Sequence, residues 1–303
     1  MQPEKYPAHD KTHFYKYMSA ETAFLILRNR NFRYSSPILF NDPFDIQTEL
    51  LFDFDKKLFP ELVFEEIEKI ILGKKTVKLN LKDEWGQAIS LLKAKVEEYG
   101  YSRECAKSTT VPSIKALTDV MEKTRSDYNK WWQDFLPRIR VFSVSEINDN
   151  ILMWAHYSNK HEGVVLKLRV LPKLGNLLCA AGPVIYREKP PLFFSMKDWI
   201  DEIISIREID HTKLYWEYAY IKSDIWSYEQ EWRVWDMLPK REKNLYNYNR
   251  LYPEEIEAVY FGCRTSEQNR TEIMNLAREV NPKVLFFQGS KCSDKFALTF
   301  SQI

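Results

Sequence analysis

Glycine is scarce. Eight residues in 303 assemble no Walker loop and no GxGxxG turn, so P-loop and Rossmann nucleotide binding are disfavoured. Any nucleotide has to be held by side chains and ordinary backbone. Cysteine is scarce too. Cys105, Cys179, Cys263 and Cys292 lie far apart with no CxxC pair, which argues against a zinc module or a disulfide framework. The five histidines contain no HExxH. No metal is expected. Net charge is nearly absent at +1, so bulk electrostatics marks neither a strong nucleic-acid binder nor an acidic-lipid binder. No run approaches the roughly 18 apolar residues of a membrane helix. The stretch "MQPEKYPAHDK" lacks the apolar centre of a secretory signal, and the expected compartment is the cytoplasm.

What is present is a globular composition, 45% hydrophobic and 29% charged, well above the hydrophobicity of disordered chains. Aromatic residues reach 15%, with 17 Tyr and 9 Trp. The pattern predicts an early strand at "HFYKY", then a helix in "SAETAFLILRNRNF" capped by Ser19. "FNDPFD" reads as a turn. Residues 60–137 change character: apolar residues recur at helical spacing between Pro60 and Pro137, a helical insertion or lid within a single 1–303 domain. After Pro137 strands return in "RIRVFSVS", "GVVLKLRV", "GPVIYRE", "WSYEQEWRVW" and "EIEAVYFG". "NDNILMWAHYSNKHEG" reads as a short helix capped by Asn148 or Asp149. "SEQNRTEIMNLAREVN" reads as a longer helix. Helices and strands mix without βαβ alternation, which predicts an α+β fold with a mixed, mostly antiparallel split sheet.

The chemistry-bearing candidates are few. In "SYEQEWRVW" an extended strand puts Ser227, Glu229, Glu231, Arg233 and Trp235 on one face. The two glutamates are then roughly 6.5–7 Å apart at Cα. They either form a salt-bridged outer face beside Arg233 or aim into a site. Ser143 and Ser145 share a face of "VFSVS", where they bind a ligand or simply end a strand. Lys16 lies between Tyr15 and Tyr17, as a cation near a phosphate or as a snorkelling lysine. Asn41 and Asp42 serve the turn or line a pocket. Tyr157 shares a helical face with Met153 and Trp154, a stripe that suits a core as well as a ligand. A triad written from Ser145, His156 and Asp149 lacks a nucleophile elbow.

Taken together, "FYKYMS", "RYSSPILFNDPFD", "FSVSEINDNILMWAHYSNKHEGVVLKL" and "SDIWSYEQEWRVW" resemble the family catalogued as domain of unknown function 2971. More distantly, the order of these pieces is similar to the ADP-ribosyltransferase superfamily. In its arginine-type branch an Arg lies on an early strand, a Ser-Thr-Ser strand follows, and a Glu-x-Glu strand comes late. Lys16 stands at the Arg position, Ser143 and Ser145 at the serine strand with Val144 for Thr, and Glu229 and Glu231 at Glu-x-Glu. The resemblance implies NAD as substrate, with Glu231 on the ribose and Glu229 on the acceptor. It implies Tyr15, Lys16, Tyr17, Asn41, Asp42, Ser143, Ser145, Tyr157 and Arg233 as the surrounding binding residues. Tyr157 or Tyr17 would stack on nicotinamide, and "LYWEYAYIKSDIW" would recognise the acceptor. The implied partners are RNA, DNA or protein as acceptor, with an antitoxin or regulatory protein, in toxin or phage-defence settings. Two other functions fit the same residues. One is an NAD-consuming glycohydrolase, in which water replaces the acceptor. The other is a non-catalytic binding or sensor protein on the same fold.

Overall fold

The computed structural model describes residues 9–204, 211–238 and 244–303. The chain forms two compact units. One takes residues up to 47, then 135–189 and 220–303; the other takes 48–134 and 190–219. β1 (His13–Met18) runs through Ser19 into α1 (Ala20–Asn29). Ser19 Oγ accepts from Thr22 N at 3.2 Å, the cap its position predicts. Arg30, left-handed at φ 51°, ends the helix, and β2 (Asn31–Ser35) follows. The chain then enters the second unit with β3 (Leu51–Phe52), α2 (Phe59–Ile71), α3 (Glu84–Tyr99) and α4 (Arg103–Phe135). It returns with β4 (Ile139–Ser145), α5 (Ile151–Tyr157), β5 (Val164–Arg169), β6 (Gly182–Pro183) and β7 (Ile185–Arg187). β8 (Leu192–Phe194), α6 (Met196–Ile203) and α7 (His211–Ala219) belong to the second unit. β9 (Ile221–Ser223), β10 (Glu231–Met237), β11 (Tyr246–Arg250), β12 (Ile256–Phe261), α8 (Glu267–Val280), β13 (Leu285–Lys291) and β14 (Leu298–Gln302) close the first.

The fold is α+β, and the main sheet is mostly antiparallel. Its strands run β11-β2-β4-β1-β5-β12-β13-β14, with β10 also paired to β4 and to β6. Among the described residues only β12 and β13 pair in parallel within it. The sheet is split at β4. One edge of β4 is taken along its whole length by β10, from Glu231↔Ser145 to Met237↔Ile139. The other edge is shared: β1 meets it at Ser145 and β2 at Val141. Ser143 lies between these contacts, and its carbonyl accepts from Lys16 Nζ at 2.6 Å. A lysine head group thus takes the place of a strand donor at the split.

Strand alternation sorts the side chains onto two faces. Phe14, Phe142, Val144, Leu166, Trp232 and Val234 share a core with Ala23 and Leu27 of α1 and Ile273 and Ala277 of α8. On the other face Tyr17 and Val165 pack with Met153 and Trp154 of α5. The cap of α5 is Asn150, whose Oδ1 accepts from Leu152 N and Met153 N; the expectation of Asn148 or Asp149 is one or two residues early. Asn148 instead offers its carbonyl to Trp154 Nε1 at 2.7 Å. A Cβ at Gly163 would lie 2.2 Å from Met18 O, so this glycine lets β5 start hard against the end of β1.

Glu255, buried where the chain enters β12, accepts from Asn176 Nδ2 at 2.8 Å and from Tyr252 N at 3.2 Å. Burial pushes its pKa up to about 7. The unfolded chain titrates near the ordinary value of about 4.3. Between those values the folded state holds more protons, so this group makes stability fall as pH rises through the window. Thermal unfolding followed from pH 4 to 8 should show that fall in the wild type and a flatter profile in Glu255→Gln. Parallel profiles would assign the pH dependence elsewhere.

Candidate functional site

The segment "SYEQEWRVW" is not one strand. Asp224–Glu229 forms a 3-10 turn, Gln230 is left-handed at φ 44°, and β10 begins only at Glu231. The alternation expected from Ser227 onward therefore fails before Glu231 and holds after it. Trp232 and Val234 enter the core, and Glu231 and Arg233 point the other way. Glu229 reaches the same place from the turn, held there by its carbonyl, which accepts from Ser145 Oγ at 2.6 Å. The reading of a solvated outer face is overturned: Glu229 is 3%, Glu231 6% and Arg233 0% exposed. The register lines up Tyr15, Ser145 and Glu231 across three neighbouring strands, with Ser143 opposite Arg233.

Buried charges survive only when paired, and here the pairing is dense. Arg233 Nε donates to Glu231 Oε1 at 2.8 Å, and Nη2 donates to Glu231 Oε2 at 3.0 Å and to Asp45 Oδ2 at 2.6 Å. Lys222 Nζ lies 2.6 Å from Glu229 Oε2, 3.0 Å from Glu231 Oε2 and 3.5 Å from Asp45 Oδ2. Tyr157 OH donates to Glu229 Oε1 at 2.5 Å. Ser143 on β4 adds to the lowering of the Glu231 pKa, and Glu231 N donates to Tyr186 OH at 2.8 Å. Asp45 arrives on the "FNDPFD" turn. There Asp42 Oδ1 accepts from Phe44 N at 2.8 Å, and Asp42 O accepts from Asp45 N at 3.2 Å. The next residue, Ile46, is buried at φ 65°, a costly conformation for a β-branched side chain.

The titration of these groups divides them. Burial alone would raise Glu231, but the charges of Arg233 and Lys222 outweigh it and hold Glu231 well below the usual carboxylate range. Burial raises Glu229, and Lys222 and Tyr157 only partly offset it. Asp45 is also raised by burial, against the pull of Arg233. Burial would lower Lys222 and Arg233, yet their carboxylate neighbours raise both. Burial brings Lys16 down to about 8, although Glu231 acts to raise it.

These groups border a cavity of about 190 Å³. Of the residues named from sequence, Tyr15, Lys16, Tyr17, Asn41, Ser143, Ser145, Tyr157, Glu229 and Glu231 line it. Asp42, used by the turn, and Arg233, bonded to Glu231 and Asp45, are not among its lining residues. The Ser145 hydroxyl is committed to Glu229 O and Ile147 N, which removes it as the nucleophile of a triad. Lys16 Nζ, bonded to Ser143 O, also lies 4.7 Å from the centre of the Phe142 ring. Sequence reasoning missed Asp45, Lys222 and Tyr186. Lys222 was inside the proposed acceptor segment, but "YIKSDIW" gives no sign that its lysine turns inward. Among the described residues no grouping of His, Cys, Asp and Glu is arranged to hold a metal ion, and no helix is long and apolar enough to cross a membrane.

A family model described as "Protein of unknown function (DUF2971)" matches residues 153–234, in line with the resemblance drawn from the motifs. The match runs from α5 into β10 and includes Tyr157, Lys222, Glu229, Glu231 and Arg233. No curated protein and no solved structure matches the chain.

Lys222 is the shared counter-charge of three buried carboxylates. Lys222→Met should destabilise the protein by about 3–5 kcal/mol, the cost of stranding buried charge. The double variant Lys222→Met/Glu229→Gln should recover part of that loss, because one stranded charge goes with it. Urea denaturation of both variants and of Glu229→Gln measures the coupling; strict additivity would show that Lys222 does not serve Glu229.

Proposed function

We propose, for a chain of the domain of unknown function 2971 family with this cavity, that it is an NAD-dependent ADP-ribosyltransferase acting on a macromolecular acceptor. The observation that carries the reading is the cross-strand row. Tyr15, Ser145 and Glu231 lie side by side at the split of the sheet, with Glu229 brought in beside Lys222. The cavity is smaller than the ~300–1,000 Å³ of a complete small-molecule pocket. It suits one end of a dinucleotide, the nicotinamide and its ribose, with the remainder outside.

The opposite pKa shifts of Glu231 and Glu229 support a division of the chemistry. The nicotinamide–ribose bond breaks, and nicotinamide leaves with the bonding electrons. Positive charge develops on the ribose, and a fixed carboxylate in a dry site stabilises it. Glu231 suits that part: it is ionised, buried, and held by Arg233 and Lys222. The acceptor then bonds to the ribose carbon and loses a proton. Glu229, raised by burial and steadied by Tyr157, is the better base. Lys16 lines the same cavity and offers its remaining donors to the pyrophosphate. The setting that fits is a cytoplasmic effector of toxin or phage-defence type, with nucleic acid or protein as acceptor.

Incubation of the purified chain with NAD labelled on the adenylate and with cell lysate tests this. Label should appear in macromolecules, and Glu231→Gln should lower the rate by about 10²–10³-fold, the usual cost of one electrostatic contact to the transition state. Release of free ADP-ribose alone would make the chain a glycohydrolase. Equal behaviour of wild type and variant, with no heat of NAD binding, would remove the enzymatic reading.

A further inference from the structure

Asp45 carries a buried oxygen that no described residue satisfies. Its side chain is 3% exposed, its Oδ2 accepts from Arg233, and Oδ1 has no hydrogen-bond partner among the described residues. The other two carboxylates differ. Both oxygens of Glu231 and both oxygens of Glu229 have donors. An ionised carboxylate offers about four acceptor sites, and buried acceptors are rarely left unmade. Asp45 also lines the cavity, as does Phe40 from the same turn, and the chain holds it there through the left-handed Ile46.

We infer that Asp45 Oδ1 is the specificity contact of the cavity and accepts an N–H from an uncharged amide on the ligand. The inference rests on the NAD reading, in which that amide is the carboxamide of nicotinamide. Phe40, Tyr15, Tyr17, Tyr157 and Met153 supply flat and apolar walls for a ring, and Glu231 is reserved for the ribose. A carboxylate in place of the carboxamide has no hydrogen to give and meets Asp45, Glu229 and Glu231 together. The site should therefore prefer NAD to nicotinic acid adenine dinucleotide.

Asp45→Asn makes the inference decisive because Arg233 orients the new amide. Arg233 only donates, so the asparagine carbonyl takes the Oδ2 place and the NH₂ takes the Oδ1 place. The acceptor becomes a donor without a change of shape. Calorimetric titration of the full chain with both dinucleotides should give a preference for NAD of about 10–100-fold in the wild type, the span of a hydrogen bond to a charged group. In Asp45→Asn the preference should vanish or reverse. A wild type that binds NAD, with an unchanged preference in the variant, overturns this inference and leaves the transferase reading standing. A wild type that binds neither dinucleotide overturns both. A second arm uses only the wild type, in case the variant fails to fold. Methyl nicotinate keeps the ring and carbonyl but has no N–H, and should bind at least about tenfold more weakly than nicotinamide. Equal binding overturns the assignment of Asp45.

Discussion

Arg233 is the group on which the site depends. Its guanidinium is fully buried and grips a glutamate two residues before it and an aspartate 188 residues away in sequence. A guanidinium cannot shed its charge, so every neighbour has to be arranged around it. Alternation along β10 makes that possible. Trp232 and Val234 take the core face, which leaves Arg233 and Glu231 buried on the other face. At an effective dielectric near 20, opposite charges about 3 Å apart attract by roughly 5 kcal/mol. Desolvation costs several kcal/mol for each ion. The balance is close enough that a well-packed apolar set would hold β10 about as firmly. The cluster is thus poorly explained as a stabilising device and better explained as a way of presenting charge.

The split in the sheet determines where that charge is presented. β4 offers one edge to β10 and divides the other between β1 and β2. A continuous strand there would have closed the backbone over Ser143. Instead Lys16 supplies a single movable donor to that carbonyl, and the cavity opens beside it. Lys16 belongs by alternation to the same face of β1 as Phe14 and Met18, yet its ammonium comes to the gap. Its lowered pKa measures the cost of holding a cation there. The fold and the cavity are therefore one arrangement: Ser143 and Ser145 of the split strand and the carboxylates Glu229 and Glu231 line the same cavity.

Much of this was legible in the sequence, and the limits have local causes. Period-two patterning placed Ser143 and Ser145 on one face and Trp232 and Val234 on the core side, because a strand with one buried face tolerates no slip of register. Ser19 announced its helix through a side-chain cap that acts within four residues. The count failed at Gln230, where a left-handed residue interrupts the strand without the glycine or asparagine that usually signals one. Glu229 still reached the site, by a route the sequence pattern did not describe. Asp45 and Lys222 were missed for another reason. Neither has a local signature; each becomes a site residue only when tertiary packing brings it to Arg233 and Glu231. The matched family segment includes Lys222 but stops short of the turn that carries Asp45.

The two glutamates that first drew notice are chemically unequal, although two residues separate them and one lysine serves both. Glu231 has Arg233 on both of its oxygens in addition to Lys222, and burial cannot overcome two cations. Glu229 has Lys222 and a phenol, and burial prevails. Environments that push neighbouring carboxylates in opposite directions separate a permanent charge from a group able to accept a proton. That inequality originates in the backbone. Because Gln230 is left-handed, Glu229 departs from the strand toward Tyr157, while Glu231 stays in register with Ser145 beside Arg233. The residue that defeated the periodic reading of "SYEQEWRVW" is the one that gives its glutamates different surroundings.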